Sequence, residues 1–429
     1  MRHKIFKFIA FFFLLGHIVL AGWSQTTPAS SGVSTPLPVS IYYSLPNASA
    51  QVIEAFIAEY RQTHPYLDIK TKNFPQSEEM YKTLTKPGDV PTLAILETSW
   101  LEEITNKQPD FLPVETWMPR ETFLFNWSVK CNCQLTLWDG SHVAGKLMAL
   151  PYFFTTRALI INPDVFAKAG IKSIPATWDD FLKAAKKLAN PKTADGLSAL
   201  ALSVSGSNEM NGRTLQILNW QHGGNGLGGV EVDSTEKASV SITSWKPILA
   251  PWDGPSMNPN SVAAWIGNVD DYFTLKQRGL NLKVATLPGT DKRSRMTETQ
   301  GWALGMFKTF PDRELYKIQE LAFYLLDFPQ QRRLAEQTPY LAAHVKVFDN
   351  PFYRKERLAD HANLRVFLNA INGSRLLPSS DAQINEYRRA GQQLNERLKA
   401  AKVEEPVAVP AKPTTPAKPK PAVKTSGKP

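Results

Sequence analysis

Cysteine is almost missing from this chain: 429 residues carry two, Cys131 and Cys133. With one residue between them they are too close for a zinc-ligand pair, and the chain offers no second pair, which excludes a zinc-ribbon or zinc-finger centre. A bond between them would close a very small strained ring, so a disulfide, a labile redox pair and two reduced thiols all stay open. Histidine is also sparse, seven residues without a pair at the spacing of a helix-borne metal site. No nucleophile elbow occurs. Glu97 and Asp139 are available as a glycosidase-type carboxylate pair, but their separation neither supports nor excludes that use. No metal or cofactor is expected, and an enzyme is the weaker reading.

Long apolar runs are lacking too, with one exception. Ile9 to Ala21 follows Arg2, Lys4 and Lys7 and ends in small residues, the layout of a secretory signal peptide over residues 1–24. An uncleaved anchor is the alternative. No cysteine stands at the junction to carry a lipid, and no later stretch reaches the roughly 18 apolar residues of a membrane span. The expectation is a soluble periplasmic protein.

Nor is there a basic stripe. The formal charge is +10, yet the leader supplies three lysines or arginines and the tail after residue 401 carries six lysines against Glu404 and Glu405. The body keeps a small positive excess, without the basic residues interleaved with aromatics that a nucleic-acid platform needs. Mild attraction for an anionic solute remains possible, and nucleic acid is not expected as a partner.

What is present reads as alternating strands and helices. Residues 25–38 are rich in Ser, Thr and Pro and read as a flexible N-terminus. Val39 to Tyr43 is a strand, Ser49 to Gln62 a helix with Val52, Phe56 and Tyr60 on one face, and Tyr66 to Thr71 a second strand. Ser77 to Leu84 is a short helix, and the apolar run Thr92 to Leu96 suits a buried parallel strand. Ligands of open α/β sheets bind beyond the carboxyl ends of strands, which places Tyr42, Glu97 and Ser99 at a cleft. Pro151 to Thr156 reads as a Pro-broken loop between two strands. Asn162-Pro163 starts a helical turn that Gly170 closes, and Thr177 caps a helix running to Leu188. Val262 to Arg278 reads as one helix, Leu282 to Leu287 as a strand, Arg313 to Leu326, Phe352 to Leu368 and Asp381 to Ala401 as helices. The glycines from Gly223 to Gly229 lack phosphate-loop spacing and read as a turn. The Pro/Lys/Ala-rich segment 402–429 lacks the apolar residues to bury and is expected to be disordered.

The order of residues from Ala144 to Asn190 (GK..ALPY..TTRALIIN.D.F.KAGI...PATWDDF..AAKKLA) closely resembles the extracellular solute-binding proteins of ABC importers, in the carbohydrate and polyol-phosphate group, nearest in look to the glycerol-3-phosphate binders. VATLPG at 284–289, GWALGM at 301–306 and FYLLDFPQQRRLAEQTPY at 323–340 continue the likeness. The resemblance implies an α/β fold of two lobes with a hinged cleft and no catalysis: an N-terminal lobe over 39–158 with a return at about 307–345, a second lobe over 159–306, and helices over 346–401 completing both. It implies a sugar or polyol-phosphate ligand such as glycerol-3-phosphate, ABC-transporter membrane subunits as partners, and a monomer. A neutral mono- or oligosaccharide binder, or a non-transport envelope sensor or structural protein of the same fold, is the alternative.

A saccharide or polyol site needs aromatic faces, hydroxyl partners and, for phosphate, a planar guanidinium. On that chemistry and the resemblance, the candidate ligand residues are Tyr42, Glu97, Ser99, Thr155, Arg157, Asn208, Glu209, Trp220, Gly301, Trp302, Tyr340 and Arg375, with Arg375 as the phosphate grip. One departure stands out. The glycerol-phosphate binders place paired tryptophans in the loop after the second-lobe strand, where this chain has Ser205 to Met210. The substrate is therefore open.

Overall fold

The computed structural model describes residues 35–118, 134–188, 202–204, 208–221, 249–251, 262–291, 295–376 and 381–401. The leader, the cysteines, the glycine-rich stretch and the tail lie outside the described residues.

Two sheets organise the chain. The first runs in the order β14-β7-β13-β3-β1-β2, built from β1 (Leu37–Tyr43), β2 (Leu67–Asn73), β3 (Leu93–Glu97), β7 (Leu150–Thr156), β13 (Thr297–Phe307) and β14 (Leu341–Ala342). The short strands β4 (Phe111–Leu112) and β15 (Ser374–Leu376) also pair with β13. β1 is parallel to β2 and β3, whereas β13 runs antiparallel to β3 and β7. Every residue of Leu93–Glu97 is buried because helices cover both faces: Ile95 joins Phe56 and Leu321 on one side, Leu96 joins Tyr81 and Trp100 on the other. A small hairpin of β5 (His142–Val143) and β6 (Lys146–Leu147) turns through Ala144 and Gly145, both at positive φ.

The second sheet runs β10-β9-β11-β8-β12, from β8 (Ala158–Ile161), β9 (Leu202–Val204), β10 (Leu249–Pro251), β11 (Ala264–Gly267) and β12 (Lys283–Ala285). The two-lobed α/β expectation therefore holds. The chain changes sheet across one residue, Arg157, between Thr156 of β7 and Ala158 of β8. It returns between Ala285 and Thr297.

Four expectations need correction. Residues 151–156 are a buried central strand, not a loop. Pro151 is accommodated because the pairing of β7 with β13 shifts register beside it, Phe153 facing Trp302 and Pro151 facing Ala303. Residues 262–278 are a strand and then the Val269–Gln277 helix, not one helix. A Cβ at Gly267 would lie 2.9 Å from Ile160 Cδ1, and Asn268 and Asp271 then form a reciprocal capping box. The second lobe does not extend to residue 306, since β13 belongs wholly to the first sheet. Finally, 352–368 divides into the Pro351–Glu356 and His361–Ala370 helices.

Local chemistry explains much of the rest. Asn162 accepts from the N–H groups of Asp164 and Val165, with Pro163 at the first helical position, and Gly170 closes that turn at φ 69°. Thr177 Oγ1 accepts from Asp180 N at 3.2 Å. The C-terminal Asp381–Ala401 helix packs along the Asn208–Gln221 helix of the second lobe. A Cβ on Gly212 would fall 2.0 Å from the Tyr387 carbonyl oxygen, so the two helices meet at a position that only glycine fits.

Candidate functional site: a cleft between the lobes

β3 ends in Glu97, and the 3₁₀ turn Thr98–Trp100 follows. This is the carboxyl edge of a strand in the first lobe. Facing it from the second lobe is the first turn and a half of the Asn208–Gln221 helix, carrying Glu209 and Arg213. The space between has a volume of about 210 Å³ and is walled by Glu78, Tyr81, Glu97 and Trp100 on one side and by Glu209, Arg213 and Arg388 on the other. A larger cavity of about 500 Å³ lies elsewhere, lined by Tyr60, Phe323, Tyr324 and Phe328. Tyr60 belongs to the first-lobe core and Phe323 and Tyr324 pack against it, while Phe328 packs against a cluster that includes residues of both sheets. Of these two spaces, the smaller is the one walled by both lobes among the described residues.

Charge in the cleft is closely matched. Arg213 Nη2 donates to Glu209 Oε1 at 2.7 Å and Nη1 to Gln300 Oε1 at 3.4 Å. Burial works against the Arg213 charge, but Glu298, Glu209 and Glu97 together outweigh it and hold its pKa above the ordinary value. Burial pushes the Glu97 carboxyl upward, while Arg213 and hydrogen bonds from Gln300 and Ser99 restrain the rise. At the rim, Arg388 Nη2 donates to Glu78 Oε2 at 2.9 Å, and Lys82 Nζ to Glu78 Oε1 at 2.7 Å.

An aromatic cluster adjoins Glu97. In the sheet, Trp302 of β13 stands between Glu97 of β3 and Phe153 of β7. Its ring centroid lies 5.1 Å from that of Phe153 and 5.1 Å from that of Tyr340, and Tyr340 lies 4.6 Å from Phe153. Tyr340 is half-buried, and burial raises its hydroxyl pKa, with Asp270 and Glu97 adding to the rise. Asp270, at the start of the Val269–Gln277 helix, is exposed by area, yet the surrounding protein pushes its carboxyl upward and Asp271 adds to this. Thr155, opposite Gln300 across the ladder, is buried with its Oγ1 unpartnered among the described residues.

Of the expected set, Glu97 and Glu209 line this space; Ser99 lies in the turn that follows Glu97, and Trp302, Tyr340 and Thr155 lie on the adjoining strands and cluster without lining it. Others sit elsewhere. Tyr42 is in the core beside the Ser77–Leu84 helix, its ring edge-on to Phe74 and its hydroxyl donating to Asp89 at 3.2 Å. Arg157 is buried at the sheet crossing, with Nε 2.7 Å from Glu298 Oε1 and Nη1 2.7 Å from Thr214 Oγ1. Trp220 packs in the second-lobe core, and the exposed Arg375 lies over its ring, Cζ 5.7 Å from the centroid. Neither is among the residues lining the cleft. Gly301 is inside β13 rather than in a loop: its carbonyl accepts from Thr98 Oγ1 at 3.3 Å, and a Cβ there would meet Leu137 Cδ2 at 2.7 Å. Asn208 opens the Asn208–Gln221 helix.

Residues 44–329 match the family of bacterial extracellular solute-binding proteins, more than half of the chain. The chain belongs to this solute-binding family. A Brucella abortus protein named as a binding protein is 29% identical over 159 residues, which is 33% of this chain and 37% of that relative; the match thus spans little more than a third of the relative's length. Solved structures share the fold over far more of the chain. A cyclic α-maltosyl-1,6-maltose binding protein from Arthrobacter globiformis has a TM-score of 0.65 at 15% identity, covering 85% of this chain and 97% of that one. A Thermotoga lettingae solute-binding protein bound with α-D-tagatose gives 0.63 at 18%, covering 85% and 95%. UgpB from Mycobacterium tuberculosis, in complex with glycerophosphocholine, gives 0.62 at 16%, covering 86% and 99%. The two-lobed architecture is common to them.

Within this solute-binding family member, sequence reasoning missed Arg213, Gln300, Asp270 and Arg388. A signal for Arg213 existed: it follows Glu209 by four residues on one helix, a spacing that pairs opposite charges. Gln300 directly precedes Gly301, a candidate ligand residue. Arg388 lies in a helix whose polar residues recur all along its length, and nothing local marks it.

Proposed function

We propose that this chain captures a small neutral saccharide between its lobes outside the cytoplasm and delivers it to the membrane subunits of an ABC importer. The observation that carries this reading is the pairing of charge in the cleft. Arg213 faces Glu209 and Glu97, and Arg388 and Lys82 both face Glu78. A phosphate dianion seeks unspent positive charge, whereas a sugar hydroxyl donates to a carboxylate and accepts from a guanidinium at once. Tyr340, half-buried and edge-on to Trp302, is the aromatic side chain offered to the C–H face of a sugar ring, with the wholly buried Phe153 backing it. Arg375, expected to grip phosphate, is drawn to the Trp220 ring instead.

The volume favours a short ligand. About 210 Å³ is below the ~300–1,000 Å³ of sites for drug-sized molecules, and suits about one sugar ring. Of the three structures named above, one is named for a saccharide, one is bound with α-D-tagatose and one is in complex with glycerophosphocholine, so a phosphate-bearing polyol is the competing arm of the test. The chain is expected to act as a monomer.

A thermal-shift screen of the full mature chain tests the proposal, with hexoses, maltose, maltotriose, glycerol-3-phosphate and glycerophosphocholine. A ligand that binds only the folded state at 100 times its Kd stabilises by about 2.7 kcal/mol, readily seen as a rise in Tm. The expected result is a rise with a neutral saccharide and none with the phosphates. A rise with phosphates alone would reverse the assignment.

A further inference from the structure

We infer that Arg388, on the C-terminal helix, limits the length of saccharide the cleft accepts, by bridging the two lobes at its rim. The inference rests on the saccharide reading of the cleft.

Five side chains of alternating sign cross the cleft. Lys82 pairs with Glu78 on the first lobe; Arg388 follows, 2.9 Å from Glu78 Oε2 and 3.6 Å from Glu209 Oε2; and Glu209 pairs with Arg213 at 2.7 Å. Exposure grades along this ladder. The Arg213 side chain is 7% exposed and the Arg388 side chain 41%. The ladder therefore runs from Arg213 at the floor of the cleft to Lys82 at its edge, 56% exposed, and Arg388 is the member held from both lobes near that edge.

Packing fixes it there. Tyr387, its neighbour, is 3% exposed in the second-lobe core, and Gly212 permits the close approach of the two helices at the Tyr387 carbonyl. The side chain therefore stands on a rigid base. A one-ring solute inside leaves the Arg388–Glu78 contact in place. A chain of three rings leaving the cleft on this side must displace the guanidinium from both carboxylates. Discrimination of this kind comes from a penalty against the longer ligand rather than from attraction to the shorter. An exposed ion pair contributes little to global stability, so the effect belongs to ligand choice.

Calorimetric titration of D-glucose, D-tagatose, maltose and maltotriose into the full chain, wild type, Arg388→Ala, Arg388→Lys and Glu78→Gln, tests this. The quantity read is the ratio of trisaccharide to hexose Kd. The wild type should favour a hexose. Arg388→Ala should lower the ratio about tenfold, a change of about 1.4 kcal/mol in relative affinity. Glu78→Gln, on the opposite lobe, should lower it in the same direction, and Arg388→Lys should keep most of it. An unmoved ratio in Arg388→Ala, with hexose still bound, overturns the inference and leaves the site assignment standing. A wild-type preference for maltotriose does the same. If none of the four saccharides binds the wild type, the site assignment falls and takes this inference with it. Should Arg388→Ala fail to fold by circular dichroism, the ratio in Glu78→Gln decides.

Discussion

Arg157 Nε lies 2.7 Å from Glu298 Oε1, and the two side chains are 3% and 4% exposed. Arg157 is the single residue between β7 and β8, and Glu298 is the second residue of the strand that returns to the first sheet. The pair therefore ties both crossings between lobes at one point. A buried pair of this sort is costly to break on one side only, because the remaining charge stays buried. Arg157→Ala is expected to lower stability by about 3–5 kcal/mol in urea unfolding. The double variant Arg157→Met with Glu298→Leu should recover most of that loss. Equal losses in the single and double variants would show that the charge pairing is not what matters there.

Glu97 gives a pH prediction with a definite sign. Burial, the largest influence, holds its folded pKa above that of the unfolded chain. A carboxyl raised on folding contributes stability that is fully present below its unfolded pKa and is lost as pH rises through the folded value. Glu97→Gln removes that loss. The variant should gain Tm relative to the wild type on going from pH 4 to pH 7, while its affinity for the saccharide falls about tenfold or more. A Tm difference that does not change with pH would contradict the assigned direction.

Tyr340 separates ring from hydroxyl. Its ring packs tilted against Phe153 and edge-on to Trp302, and no hydrogen bond is needed for that. Tyr340→Ala should weaken saccharide binding about tenfold, the scale of a lost aromatic contact. Tyr340→Phe should cost less than about threefold. If both variants lose equally in titration, the hydroxyl rather than the ring face is what the solute uses.

Gly212 carries the seat of the C-terminal helix. Alanine is ordinarily better than glycine inside a helix by about 1 kcal/mol. Here the added Cβ would lie 2.0 Å from a backbone oxygen, which no side-chain adjustment relieves. Gly212→Ala should therefore destabilise by about 1–3 kcal/mol, measured by chemical unfolding, and should speed proteolysis within residues 381–401. A neutral or stabilising result would mean the helices separate without cost.

Much of the scaffold was legible because it is written locally. The Asn162-Pro163 start, the Gly170 stop and the Thr177 cap each act within four residues of chain, and the structure has all three. Pro151 misled because its effect on a strand depends on the partner: a register shift against β13 absorbs it, and no single strand displays that. The cleft was half legible. Glu97, Ser99, Trp302 and Tyr340 follow from strand ends and family likeness. Arg388 does not, and the Glu209–Arg213 spacing marks only a local pair, because the meeting of the two arginines arises from two helices 160 or more residues apart packing at a glycine. Arg157 was expected at the ligand and is instead buried at the sheet crossing; its partner Glu298 is 141 positions away, and pairing over that distance has no sequence signature.

A co-crystal structure of the chain with the saccharide that stabilises it most is the most direct measurement. The account predicts the sugar between the lobes, a hydroxyl within hydrogen-bond distance of Glu97 and a ring face against Trp302 or Tyr340. A sugar seated instead in the outer cavity lined by Tyr60 and Tyr324, with the interlobe cleft empty, would contradict it.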